Sequence, residues 1–96
     1  MAFPASFIDE LVARNPIEDV VGQHVALKRA GANMFGLCPF HGEKTASFSV
    51  APDKVIYYCF GCHKGCGVIN FQMEIEGLSY PDAVRALAQR VGIQVP

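Results

Sequence analysis

The sequence predicts an α+β fold in which a small antiparallel sheet is flanked by helices, and three features of its 96 residues carry that reading. Apolar residues recur at helical spacing near both ends. In the middle the spacing changes to two, as in half-buried strands. Within that middle stand two short ligand pairs, Cys38-x2-His41 and Cys59-x2-Cys62. Strands grouped together, with helices to either side, read as α+β rather than as repeated βαβ units.

The elements follow in order. Ser6 to Arg14 sets Phe7, Leu11 and Val12 on one helical stripe, with acids expected in its first turn. Asn15-Pro16 reads as an N-cap followed by proline at the first helical position, opening a short helix, Pro16 to Val21, that Gly22 ends. Val25 to Arg29 and Met34 to Cys38 read as strands joined by the turn Ala30-Gly-Ala-Asn33. Ser47 to Val50 and Lys54 to Phe60 are two more, joined by Ala51-Pro-Asp53. Val68 to Glu76 returns to helical spacing and closes at Gly77; the Ile69/Met73 stripe is assigned to the core. Ser79 with Asp82 resembles a capping box, and the last helix runs to about Val91 with Gly92 behind it.

Length and composition set limits. One domain is expected, and a chain this short buries only about two-thirds of its unfolded surface, so a metal or a partner would supplement a marginal core. With 51% hydrophobic and 18% charged residues the chain is globular in composition. No apolar run approaches the ~20 residues that span a bilayer. The stretch Met1 to Leu11 carries Asp9 and Glu10 and no basic flank, unlike a signal peptide, so a cytoplasmic location with no membrane partner is expected. The net charge of −1 conceals a segregation. Between Gly22 and Gly67, Lys28, Arg29, Lys44, Lys54 and Lys64 face only Glu43 and Asp53, while the flanks are acidic. A basic middle suits an anionic partner, although solvated lysines alone explain it equally well.

The two ligand pairs carry the chemistry. Two residues between ligands let a tight turn present both to one ion, and two such knuckles fill the four places of tetrahedral zinc. The 17 residues from Gly42 to Tyr58 suffice for a strand, a turn and a strand between them. One structural zinc held by Cys38, His41, Cys59 and Cys62 is therefore expected, with no open position for catalysis. Buried cysteines without a metal are the plainer alternative, and two knuckles argue against it. His63 and Cys66 follow at once, giving six candidate ligands for four places. Cys66, between Gly65 and Gly67 in what reads as a flexible loop, is expected to be a free thiol rather than a substituting ligand. His24 reads as a surface residue. A redox role for Cys59-x2-Cys62 fails because the pair opens no βαβ unit.

Cys-Pro-Phe-His-Gly-Glu-Lys-Thr (Cys38 to Thr45), Ser47-Phe48 and Tyr58-Cys-Phe-Gly-Cys62 together resemble the N-terminal zinc-binding domain of bacterial replicative DNA primase, the DnaG type. Phe7 to Leu11, Ile17 to Gly22, Leu27-Lys-Arg, Gly77 to Pro81 and Gly92 to Pro96 extend the resemblance over almost the whole chain. It implies a zinc ribbon that helps the enzyme engage single-stranded DNA template and choose a start site. It also implies a partner RNA polymerase domain, joined or in trans, and a replicative helicase met through a region these residues do not include. The chain then reads as a module of a longer primase, a nucleotidyltransferase, or as a stand-alone one. There are departures from the family's usual residues: Ala46 for proline, Met34 for tyrosine, Ala32 for a basic residue, and His63 and Cys66 for glycines.

Bases stack on exposed aromatics while cations meet phosphates. Lys28, Arg29, Lys44 and Lys54 are the phosphate candidates, and Phe48 and Tyr58 the base candidates. Alternation sets Tyr58 and Ile56 on one face and Tyr57 on the other. Phe40, Phe60 and Phe71 are assigned to packing. The acids fall as Asp9/Glu10, Glu18/Asp19 and Glu74/Glu76, which read as solvated helix faces rather than as a cluster that holds catalytic metal. The module is expected to be noncatalytic alone. The competing reading is a zinc-ribbon protein-interaction module with no direct DNA contact.

Overall fold

The structure, a computed structural model, describes residues 3–40 and 47–96. Its elements are α1 (Ala5–Arg14), α2 (Ile17–Gly22), β1 (Lys28–Ala30), β2 (Asn33–Gly36), β3 (Phe48–Ala51), β4 (Ile56–Cys59), β5 (Gly65–Cys66), α3 (Val68–Glu76) and α4 (Tyr80–Val91). The strands form one antiparallel sheet in sequence order, β1 to β5. The fold class is as the sequence predicts, and the expected helices and four strands fall in the expected order, with β5 as one strand more.

Register fixes what each face carries. Lys28, Phe35, Ser49, Tyr58 and Gly65 lie opposite one another in a single row across all five strands. The adjacent rows hold Phe48 with Cys59, and Val50 with Tyr57, and these four side chains are buried. Helices α2 and α3 lie against this inner face, at β3 and at β4 and β5. Phe71 of α3 is the centre of the core, with its ring 5.3 Å from Tyr57 and 6.2 Å from Phe48. Tyr57 donates its hydroxyl hydrogen to Asn70 Oδ1 at 2.6 Å, so the buried tyrosine keeps a polar partner. On α4, Ala83, Val84, Leu87 and Ala88 complete the core.

Several local readings are revised. The segment expected as the first strand starts pairing only at Lys28, because Val25 to Leu27 pass close beside Gly36. A Cβ at Gly36 would fall 2.7 Å from the Ala26 carbonyl oxygen and 2.7 Å from Val25 Cγ1. Helix α1 begins one residue earlier than predicted, so Asp9 and Glu10 fall outside its first turn, and Glu10 pairs with Arg14 at 3.1 Å. Asn15 does not cap α2. It is fully buried, and its Nδ2 donates to the carbonyls of Leu11 (2.9 Å) and Leu87 (3.3 Å) while Oδ1 accepts from Arg90 Nη1 (3.1 Å). The residue that reads as a cap is the polar clamp between α1 and α4. The glycine loop around Cys66 is not loop throughout: Gly65 and Cys66 add a fifth strand to β4.

The capping of α4 is as read. Ser79 Oγ accepts from the Asp82 N–H at 3.3 Å, and Gly92 ends the helix in the left-handed region, φ 73°.

Candidate metal centre

Cys38 lies just past the end of β2, Cys59 is the last residue of β4, and Cys62 sits in the turn that follows. The sheet thus delivers three sulfurs from the ends of β2 and β4, which leave the same end of the sheet on either side of β3, and all lie within 4.8 Å of one another. Cys38 and Cys59 are buried, and Cys62 is partly so. The Sγ atoms of Cys38 and Cys62 are 3.8 Å apart. With zinc–sulfur bonds of about 2.3 Å, the edge of a tetrahedron is also about 3.8 Å, so the spacing fits the ion. His41 and Lys44 lie outside the described residues.

The two knuckles are built alike. The Phe40 N–H points to Cys38 Sγ at 3.4 Å, and the Gly61 N–H to Cys59 Sγ at 3.3 Å, each from two residues downstream. Such donors favour a thiolate. At Cys59 burial works against ionisation, but N–H groups of Cys62 and Gly61, with the Ser47 hydroxyl and Cys38, outweigh it and bring the thiol down to about 7. At Cys38 burial dominates, and with Cys59 and Cys62 beside it the thiol is pushed up to about 12 in the metal-free protein. Packing acidic thiols together without a cation is unfavourable for ionising them all, and a divalent ion removes that conflict. Cys66 is exposed on β5 and is not among the three clustered sulfurs.

Around the centre, Lys64 is already engaged. Its Nζ donates to Glu74 Oε1 at 2.8 Å and lies 5.9 Å from the centroid of the Phe40 ring. The bond to Glu74 raises the lysine's pKa. One cation of the basic middle is therefore matched by an acid of the flank. His24 is exposed, with its ring 5.9 Å from that of Phe71 and its Nε2 3.9 Å from Glu76 Oε2.

The nucleic-acid candidates are scattered. Lys28 shares the outer row with Tyr58, whereas Arg29 belongs to the next row and so points to the other side of edge strand β1. Lys54 is exposed in the β3–β4 turn, at the end of the sheet away from the sulfurs. Phe48 cannot stack on a base: it is fully buried, 5.6 Å from the Tyr57 ring. Phe60, assigned to packing from sequence, is the opposite case at 63% exposure. Strand alternation is the signal that separates them, since Cys59 turns inward and its two neighbours must turn outward.

Three clustered thiols at one end of an antiparallel sheet define a zinc ribbon. The chain belongs to the CHC2 zinc finger family, the zinc-binding domain of DnaG-type DNA primases, which matches residues 3–96. It is 53% identical over 93 residues to a DNA primase of Neisseria meningitidis serogroup A, covering 97% of this chain and 16% of that protein. It is 48% identical over 92 residues to a DNA primase of Geobacillus stearothermophilus, covering 96% of this chain and 15% of that one. The crystal structure of the Aquifex aeolicus primase, with its zinc-binding and RNA polymerase domains, superimposes with a TM-score of 0.88 at 38% identity, over all of this chain and 23% of that one. The chain thus spans about one-sixth of the length of these curated relatives. Zinc is the metal of the family, and the sulfur geometry accommodates it. No helix among the described residues is long and apolar enough to cross a membrane.

Proposed function

We propose that this chain is a single zinc-binding module of a DNA primase that makes RNA primers for replication, noncatalytic by itself. It holds one structural zinc through Cys38, His41, Cys59 and Cys62. Its role is to engage single-stranded DNA template and to help choose where a primer starts, working with a primase RNA polymerase domain joined to it or supplied in trans. A replicative helicase would be met through a part of the primase other than these residues.

The observation that carries the DNA-binding reading is the outer face of the sheet. There Lys28, Phe35 and Tyr58 share one cross-strand row, and Ser49, Ala51 and Tyr58 remain partly accessible. An aromatic and cationic sheet face is the kind of surface on which single strands lie, with bases on rings and phosphates on cations.

Fluorescence anisotropy with a labelled single-stranded oligonucleotide tests the reading. Three or four phosphate contacts among Lys28, Arg29, Lys44 and Lys54 give a log–log salt slope of roughly −2 to −3, at about −0.7 per contact. A labelled-nucleotide priming assay beside it should show primers only when a primase polymerase domain is added. Salt-independent binding, or primers made by the chain alone, would overturn the proposal.

A further inference from the structure

Phe60 is the most exposed large apolar side chain among the described residues, at 63%, yet its surroundings are ordered. Its backbone N–H donates to the Ser47 carbonyl at 2.9 Å. The preceding residue, Cys59, donates its N–H to the Lys64 carbonyl at 2.8 Å and accepts from the His63 N–H at 2.8 Å. The ring therefore stands in water on a knuckle that is tied down on both sides. Among the described residues, the ring is not part of the core or packed against it.

Behind it stands Tyr58. The two ring centroids are 5.0 Å apart with planes at 73°, an edge-to-face pair. Tyr58 is itself fixed from two directions. Its ring crosses Gly65 so closely that a Cβ there would fall 2.6 Å from Tyr58 Cδ1, so only glycine fits beneath. Its hydroxyl is hydrogen-bonded to His63 Nδ1 at 2.8 Å. His63 occupies the left-handed region, φ 61°, where side chains other than those of Asn, Asp and His are uncommon. A histidine at a backbone position that suits glycine, reaching back to one hydroxyl, has a side-chain task.

We infer that Phe60 is a stacking platform for one unpaired base of single-stranded DNA, with Tyr58 as its buttress and His63 as the positioning residue that holds Tyr58. The inference rests on the DNA-binding reading above and names the aromatic at which the strand is gripped. Lys28 supplies the complementary charge: it lies three strands away in the row of Tyr58, about 14 Å at the usual strand spacing, on the same outer face. A strand seated on Phe60 can run across the sheet with its phosphates towards that lysine.

The test uses the zinc-loaded chain and a short single-stranded oligodeoxynucleotide carrying one 2-aminopurine, read by anisotropy for affinity and by quenching for stacking. Phe60→Ala should weaken binding by about 5- to 150-fold, the range for losing one base–aromatic stack, and should abolish the quenching. It should leave the salt slope unchanged, because no ion pair is lost. Phe60→Tyr should restore both signals, and Phe60→Leu, which keeps apolar bulk without a π face, should not. His63→Gly and Tyr58→Phe should each reduce the quenching, and combining them should add nothing, since both remove the same hydrogen bond. His63→Asn, which tolerates the backbone and can still bond the hydroxyl, should recover most of the signal.

Zinc content of one ion per chain in each variant separates these effects from unfolding. If the chain binds DNA with the expected salt slope but Phe60→Ala and Phe60→Leu bind and quench as the parent does, the platform is wrong and the DNA-binding reading stands. Phe60→Ala changing only self-association, seen by sedimentation, would reassign the ring to a contact between copies and also overturn it. If the chain binds no single-stranded DNA at any salt concentration, both readings fall together.

Discussion

Tyr57 and Tyr58 are neighbours in sequence with opposite fates, and the two faces of the sheet they occupy divide the molecule's work. The inner tyrosine is buried against Phe48 and Phe71, and its hydroxyl is used up by Asn70. Burial pushes its ionisation well above the ordinary phenol range. The outer tyrosine is half-exposed and faces Phe60, His63 and, along its row, Lys28. One face is built to exclude water and the other to offer rings and charge to it. The zinc centre sits at the end of the sheet where both meet, fixing the inner strands through Cys59 and the outer aromatics through the knuckle that follows.

The largest effect expected is loss of that centre. A structural zinc contributes much of the ~10–16 kcal/mol typical of such sites, so a chelator should abolish the cooperative thermal transition. Cys62→Ser should strip the metal, while Cys66→Ser should leave one zinc per chain by mass spectrometry. A chelated sample that still melts cooperatively would dissolve the link between metal and both faces. Next in size is the core beneath the inner face. Phe48→Ala should cost about 3–5 kcal/mol in denaturant unfolding, as large-to-small changes in a packed core do. Ile56→Ala on the outer face should cost under ~1 kcal/mol. Equal costs would mean that the two faces are not as different as their burial indicates.

Asn15→Ala should cost about 1–3 kcal/mol, because it removes the side-chain donor to the Leu11 carbonyl at the end of α1, unties α1 from α4 and releases Arg90. Its effect on DNA affinity should be slight, since the clamp lies on the helical side. The smallest effect sharpens the comparison most. Lys28→Glu should flatten the salt slope of DNA binding by about 0.7 or slightly more per contact removed, with little change in thermal midpoint. Lys64→Glu should leave that slope nearly unchanged, because Glu74 already satisfies this lysine. A larger slope change at Lys64 than at Lys28 would place the strand's path on the wrong face.

Some of this was legible in the residues alone. The helices α3 and α4 have their punctuation in the sequence, with Gly77, Ser79, Asp82 and Gly92 where the caps fall. Local chemistry decides such ends: a serine hydroxyl reaches an N–H three residues on, and glycine relieves a left-handed residue. The paired Cys-x2 spacings likewise announced a metal, because a knuckle is a property of a few consecutive residues.

What the sequence could not settle required knowing which side of the sheet the helices would cover. A strand alternates whichever face becomes the core, so the sequence alone assigns Phe60 to packing and Phe48 to a base. With Cys59 turned inward and Phe71 set down on that side, the two exchange roles. The same holds for Lys28 and Arg29, adjacent cations that the register sends to opposite faces. Asn15 carries the signature of a helix cap, but its side chain sees Leu87 and Arg90, 72 and 75 residues away, and that long-range pairing won over the local one. Strand β5 is two residues long and too short to show a period; only β4 beside it makes it a strand. Motif and cap are short-range physics and stand in the sequence itself. Face, register and long-range clamp exist only once distant segments have been brought together.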